Sequence, residues 1–166
     1  MHGTARRSLT IGAAALAVGA GGLAAGMTTA NGQSQGSVSR PHVVRLDVVE
    51  RATTDTVVDT GPTGDSAGDL LTFANRVYNA ANTRRVGRDQ GSCVRTVAGA
   101  AYECEWTLTL RRGSVVVQGP FHDTGDSMLA VTGGTGRFRS ASGQMRLHPR
   151  NAAGTAYVFH YAVIVR

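Results

Sequence analysis

The sequence predicts an all-β fold, an eight-stranded antiparallel β-barrel, and three observations predict it. Between Gly113 and Gln144, two apolar runs, Ser114–Gln118 and Met128–Thr132, precede glycines at 133, 134, 136 and 143, and no helical periodicity follows. The run Val115–Val117 is β-branched and too short for a helix, so it reads as a buried strand. Eight strand candidates follow one another through short linkers rich in Gly, Asp, Thr or Asn. That many strands in so small a domain favour closure, which removes the exposed edges of an open sheet.

The chain divides into three parts. Residues 1–30 read as a secretory signal: Arg6-Arg7 precedes an apolar, Ala/Gly-rich run from Ile11 to Gly26, and small residues at Thr28 and Ala30 place cleavage near Ala30. The adjacent arginines with Ser8 and Leu9 look like a twin-arginine signal, so the expected location is secreted, by export of a folded protein. The run falls short of the about 20 residues that span a bilayer, so no stable membrane insertion is expected after cleavage. A retained anchor is the alternative. Residues 31–40 are Gly/Ser/Gln-rich and read as a disordered lead-in. Residues 41–166 form one domain.

Within that domain the expected strands are His42–Arg51, Gly68–Tyr78, Arg84–Thr96, Ala101–Leu110, Ser114–Phe121, Ser127–Thr132, Phe138–His148 and Thr155–Val165. The part Leu70–Tyr78 also resembles a short helix. The longest linker, Ala52–Ala67, suits a lid or rim loop. Alternation sorts the side chains by face. Tyr102, Cys104, Trp106, Leu108 and Leu110 should point inward, with Glu103, Glu105, Thr107 and Thr109 outward. In the last strand both faces are largely apolar, which fits a partner surface, such as a homo-oligomer contact, or cover by another segment. An eight-stranded barrel holds packed side chains or one small ligand.

All 17 basic residues are arginine. Setting aside Arg6 and Arg7 leaves 15 against 11 acidic residues, dispersed along the chain and without a dense cluster interleaved with aromatics. This argues against a nucleic-acid partner. Cys93 and Cys104 flank Val97–Ala100, and a hairpin turning there sets them opposite each other. In an oxidising compartment that arrangement points to a disulfide. Two isolated cysteines and scattered histidines (His42, His148, His160) supply no metal-ligand cluster, so no metal is expected. Gly133-Gly134-Thr135-Gly136 lacks the Lys-Ser/Thr pair and following helix of a phosphate loop and reads as a turn. His122-Asp123 and Asp126 fall at a glycine-bearing turn, where solvated polar residues belong.

Several motifs occur in a fixed order: Gly68-Asp69-Leu70 with Phe73-Ala74-Asn75 and Tyr78; Arg84-Arg85-Val86-Gly87-Arg88-Asp89-Gln90-Gly91-Ser92-Cys93; Val117-Gln118-Gly119-Pro120; and Leu129-Ala130-Val131-Thr132-Gly133-Gly134-Thr135-Gly136-Arg137-Phe138. In this order and spacing the chain resembles the allene oxide cyclase and dirigent protein superfamily, and allene oxide cyclase more closely. The resemblance implies an eight-stranded barrel with a hydrophobic cavity, commonly trimeric in plants. Allene oxide cyclases turn an unstable fatty-acid epoxide into a cyclopentenone. Dirigent proteins steer radical coupling or ring closure, and related bacterial barrels promote Diels–Alder-type cyclisations, none with a metal or organic cofactor. The implied activity here is a cofactor-free cyclase or isomerase acting on a hydrophobic small molecule. The implied assembly is a dimer or trimer. A hydrophobic-ligand carrier and a structural or interaction barrel are the alternatives.

The resemblance also assigns residues. Aligning Glu50-Arg51 with the family's acidic–basic pair puts Asp47 at the first-strand Glu that stabilises positive charge as the epoxide opens; the alternative is an outward Asp paired with a neighbouring Arg. Asn75 matches an Asn that helps to hold a water, or else serves as a structural amide at a turn. Cys93 matches a pocket-shaping Cys. Tyr102, Trp106, Phe73, Tyr157 and Phe159 are candidates for the pocket wall, or for packed core. The family's Asn two residues after its Glu is replaced here by Val49, and its Ser-Pro pair has no counterpart near Asp55-Thr56, the nearest proline being Pro62. Half of the family's water-holding group is therefore absent.

Overall fold

The computed structural model describes residues 40–166. The expected signal and residues 31–39 of the lead-in lie outside the described residues. Ten strands, β1 (His42–Arg51), β2 (Thr56–Val58), β3 (Leu70–Phe73), β4 (Arg76–Asn79), β5 (Arg85–Val97), β6 (Ala101–Leu110), β7 (Gly113–His122), β8 (Ser127–Gly134), β9 (Ser142–Pro149) and β10 (Ala156–Val165), form one antiparallel sheet. The order β5-β4-β1-β10-β9-β8-β7-β6 returns to β5 through the β5–β6 pairing, so eight strands form a closed ring. The predicted all-β, barrel-like architecture is thus the observed one.

Two expected strands are cut differently. The run predicted over Gly68–Tyr78 is two strands, β3 and β4, which leave the ladder at Ala74-Asn75 and then resume along the same side of β5. The linker Ala52–Ala67 contains β2, which pairs with β3 and continues the line of β1 beyond a break at Ala52–Asp55. Phe138, predicted to open the seventh strand, instead ends a 3-10 turn over Gly136–Phe138 and is buried there as a plug. β9 begins only at Ser142. A buried phenylalanine satisfies an apolar pattern whether it sits in a strand or in the turn before one.

Alternation sets the interior. Val44, Leu46, Val48 and Glu50 of β1 face the ring, as do Tyr102, Cys104, Trp106, Leu108 and Leu110 of β6 and Tyr157, Phe159, Tyr161, Val163 and Val165 of β10. Leu108, Val77, Val115, Val117, Met145 and Val163 are fully enclosed and fill the half of the barrel where β1, β5 and β7 begin. In the other half the side chains part around a cavity. Gly91 permits the tight β5–β6 approach: a Cβ there would lie 2.3 Å from the Glu105 carbonyl oxygen and 2.4 Å from Trp106 Cβ.

Candidate functional site

The cavity lies at the end of the barrel where β1 gives way to β2 and has a volume of about 280 Å³. Its wall is aromatic and aliphatic, as an apolar ligand requires. Phe73, Trp106 and Phe159 form its inner wall, with ring centroids 5.9 Å apart for Phe73–Trp106 and 5.6 Å for Trp106–Phe159. Tyr102, Phe121 and Tyr157 form the outer rim, Phe121 contacting Tyr157 at 5.8 Å and Tyr102 at 6.3 Å. Cys93 and Cys104, directly opposed on β5 and β6, are joined by a disulfide and line the same space. All six residues named from the sequence as pocket candidates border this cavity. Val57, Leu71 and Leu147 complete its apolar wall.

The polar side of the cavity is Glu50 and Asp55. Glu50 is buried, and its neighbour beneath the cavity is Asp89, which is fully buried on β5. The two carboxyls lie close enough for each to shift the protonation of the other. Neither Asp89 carboxyl oxygen has a hydrogen-bond partner among the described residues. Burial raises the Glu50 carboxyl well above the usual carboxylate range, and the nearby Asp89 charge raises it further. Burial pushes Asp89 up to about 7. Both groups are shifted toward the protonated form, so the pair retains a proton near neutral pH.

Asn75 fixes this arrangement. It sits at the β3/β4 break, where the backbone is released from the ladder and the side chain can turn inward. Its Nδ2 donates to Glu50 Oε1 and to Asp55 Oδ1, both at 2.7 Å. Its Oδ1 accepts from the Thr53 and Thr54 amides at 2.9 and 3.0 Å and from Thr54 Oγ1 at 2.9 Å. The Asn75 carbonyl oxygen accepts the Asp89 amide at 3.1 Å. Every donor of the Asn75 amide is used. Asn75 does not border the cavity; it positions the acids that do. The expectation that Asn75 helps to hold a water is corrected accordingly, since both of its amide donors go to protein carboxylates.

Asp47 is likewise corrected. It is exposed on the outer face of β1 with Val43 and Arg45, and its Oδ1 lies 2.7 Å from His160 Nδ1 on β10. Both faces of β1 carry apolar residues, Val43 and Val49 on one and Val44, Leu46 and Val48 on the other. The parity is settled by the ring, which turns the even-numbered face inward and brings Glu50 with it. Glu50 and Asp89 were the residues missed. A signal for Asp89 existed: the inward Cys93, counted back by twos, reaches Gly91 and then Asp89.

The rim is latched. Arg95 is buried, its Nε 2.7 Å from Asp65 and its Nη1 2.7 Å from Asp123, with its guanidinium 3.6 Å above the Tyr102 ring. Asp65 belongs to the loop between β2 and β3, and that loop closes on Asp69, which accepts the Thr60 and Ser66 amides. The Ser66 amide, then the Thr60 amide, hold the Asp69 carboxyl below its usual range. Asp126, at the turn read as structural, pairs with His148 and Arg146 on the outside.

Comparisons with known proteins agree with this fold. The family model described as allene oxide cyclase matches residues 38–161. Among solved structures, the chain is similar to a pyocyanin demethylase at 22% identity and a TM-score of 0.63, covering 72% of this chain and 99% of that one. It is similar to a pterocarpan synthase dirigent protein at 14% identity and a TM-score of 0.58, covering 75% and 94%. It is also similar to AbnU, an exo-specific intermolecular Diels-Alderase, at 11% identity and a TM-score of 0.63, covering 76% and 100%. At these identities the structural likenesses establish the fold; the family model, which spans most of the chain, establishes more: this chain belongs to the allene oxide cyclase family.

Proposed function

We propose that this protein is an exported, cofactor-free cyclase or isomerase that folds a hydrophobic small molecule against the aromatic wall of the barrel. The observation that carries this reading is Glu50: a buried carboxyl that, with Asp55, forms the polar side of an apolar-walled cavity, backed by a buried Asp89 and held by Asn75. The wall restricts a flexible chain to a reactive conformer, which lowers the entropic part of the barrier. Glu50 protonates, or hydrogen-bonds to, an oxygen of the substrate as charge develops there, and Asp89 takes up or returns the proton. As a carboxylate, Glu50 stabilises positive charge that is delocalised over the substrate. The disulfide supports an extracytoplasmic location, because disulfides persist in oxidising compartments.

The test begins with native mass spectrometry of the purified chain to identify a bound apolar ligand. Single-turnover assays on epoxide and polyene substrates built on that ligand follow. Glu50→Gln, nearly isosteric, is expected to bind the ligand as the parent does while losing about a hundredfold in rate, the ordinary contribution of a positioned acid. Equal rates and equal product stereochemistry in both proteins would defeat the catalytic role. Binding without turnover in the parent itself would make the protein a carrier.

A further inference from the structure

The end of the barrel opposite the cavity is a surface of one charge. Antiparallel strands send alternate turns to the same end, and three of them gather here: residues 80–84 between β4 and β5, 111–112 between β6 and β7, and 135–141 between β8 and β9. They contain Arg84, Arg111, Arg112, Arg137 and Arg139 and no acidic residue. Arg84, Arg111, Arg112 and Arg137, with Arg85 at the start of β5, rim a groove of about 390 Å³ whose floor is Leu46, Val86, Leu110 and Phe138. None of the five arginines forms an ion pair with a described carboxylate. The loops at the cavity end carry Asp55, Asp59, Asp65, Asp69, Asp123 and Asp126. The arginine excess that is dispersed along the sequence is therefore gathered at one pole of the molecule.

We infer that this pole is a docking surface for an anionic phospholipid bilayer. Guanidinium forks bind phosphate oxygens in pairs, and the aliphatic stems and groove floor suit the apolar layer just below the headgroups. A basic rim around an apolar floor matches that layered surface better than it matches a uniformly charged polyanion. The point of chain entry agrees. β1 begins at this pole with Arg40, Pro41 and His42 just before or at its start, so residues 1–39, with the apolar run Ile11–Gly26, join the barrel here. The cavity then opens on the side away from the membrane, free to exchange its ligand.

Vesicle co-sedimentation of the full chain tests this. Every variant retains residues 1–39, so binding that they supply, including that of Arg6 and Arg7 to anionic lipid, is common to all. The full chain is expected to bind phosphatidylglycerol/phosphatidylcholine vesicles far more tightly than phosphatidylcholine vesicles, and 0.5 M NaCl should remove the difference. Replacing Arg84, Arg111 and Arg112 by Gln should weaken binding to the anionic vesicles roughly a hundredfold, because each basic side chain near such a surface strengthens binding about fivefold. Arg150→Glu, at the cavity end, should leave it unchanged. Near-ultraviolet circular dichroism checks that the variants are folded, and the dependence of the parent on vesicle composition stands as a separate measurement. Equal binding to both vesicle types, or undiminished binding by the folded triple variant, would overturn the inference. Tighter binding to duplex DNA than to anionic vesicles at equal phosphate concentration would also overturn it.

Discussion

Asp89 is the residue whose chemistry has the widest consequences. It is fully buried, beside a second carboxyl, and held up to about 7. Its protonated form is favoured in the folded barrel, whereas in the unfolded chain it ionises near the ordinary Asp value of about 4. Because the folded pKa is the higher one, the stability this group contributes is fully present below about pH 4 and is lost as pH rises through about 7. Glu50 is shifted in the same direction and adds to the loss. The thermal midpoint is therefore expected to fall between pH 5 and pH 8. Asp89→Asn removes one titrating group, keeps the shape and lets the amide donate to Glu50, so the variant should melt higher than the parent at pH 8 with a flatter pH dependence. Parallel melting curves for the two proteins across that range would refute the proton-retaining pair. In the sequence, Asp89 looked like one polar residue in a polar stretch, Arg88-Asp89-Gln90. Only the inward parity of Cys93 distinguished it, and that parity was legible. Asp47 misled for the opposite reason, since an acid in an apolar strand attracts attention on whichever face it lies.

The elements around the acids are broken where an unbroken strand would leave no room for them. The β1 line is interrupted at Ala52–Asp55 and the β3/β4 line at Ala74-Asn75, side by side, and Asn75 ties the two gaps together through the amides of Thr53 and Thr54. Ala74 returns a bond to Thr54 Oγ1 at 2.8 Å. A strand interruption exposes backbone groups that must find partners, and here one side-chain amide supplies several of them. Asn75→Ala leaves two backbone donors and the Glu50 and Asp55 carboxyls without their partner at once. It is expected to destabilise the barrel by about 3 kcal/mol in urea denaturation, given a cost of about 1–3 kcal/mol for a buried group left unpaired. A change under 0.5 kcal/mol would show that the two gaps stand without the amide. The existence of these strands was readable from apolar alternation and turn residues. The break was not, because Leu70–Tyr78 is continuously compatible with β structure, and what interrupts it is a partner some twenty residues away.

At the scale of the whole molecule, ring closure converts a sequence without strong charge pattern into an object with two unlike ends, an acidic mouth and an arginine-rich base. The same closure makes the β5–β6 seam structurally decisive, since that pairing completes the ring and carries the Cys93–Cys104 bridge. The bridge spans a short loop of sequence separation 11, so the chain-entropy estimate of its contribution is modest, about 3 kcal/mol. In a domain of this size such a loss lowers the melting temperature by roughly 10 °C. Reductant at a concentration that exposes both thiols to titration should produce that shift. Because both sulfurs also line the cavity, Cys93→Ala/Cys104→Ala should do more than destabilise: it widens the ligand space and should weaken the binding of whatever ligand fits the parent. The two effects separate cleanly. A reduced protein keeps both sulfur atoms in place, so below its lowered midpoint it should bind ligand nearly as the oxidised form does, while the double alanine variant should not. Equal ligand affinity in the oxidised protein and the folded double variant would mean that the seam holds the barrel closed without shaping what it encloses.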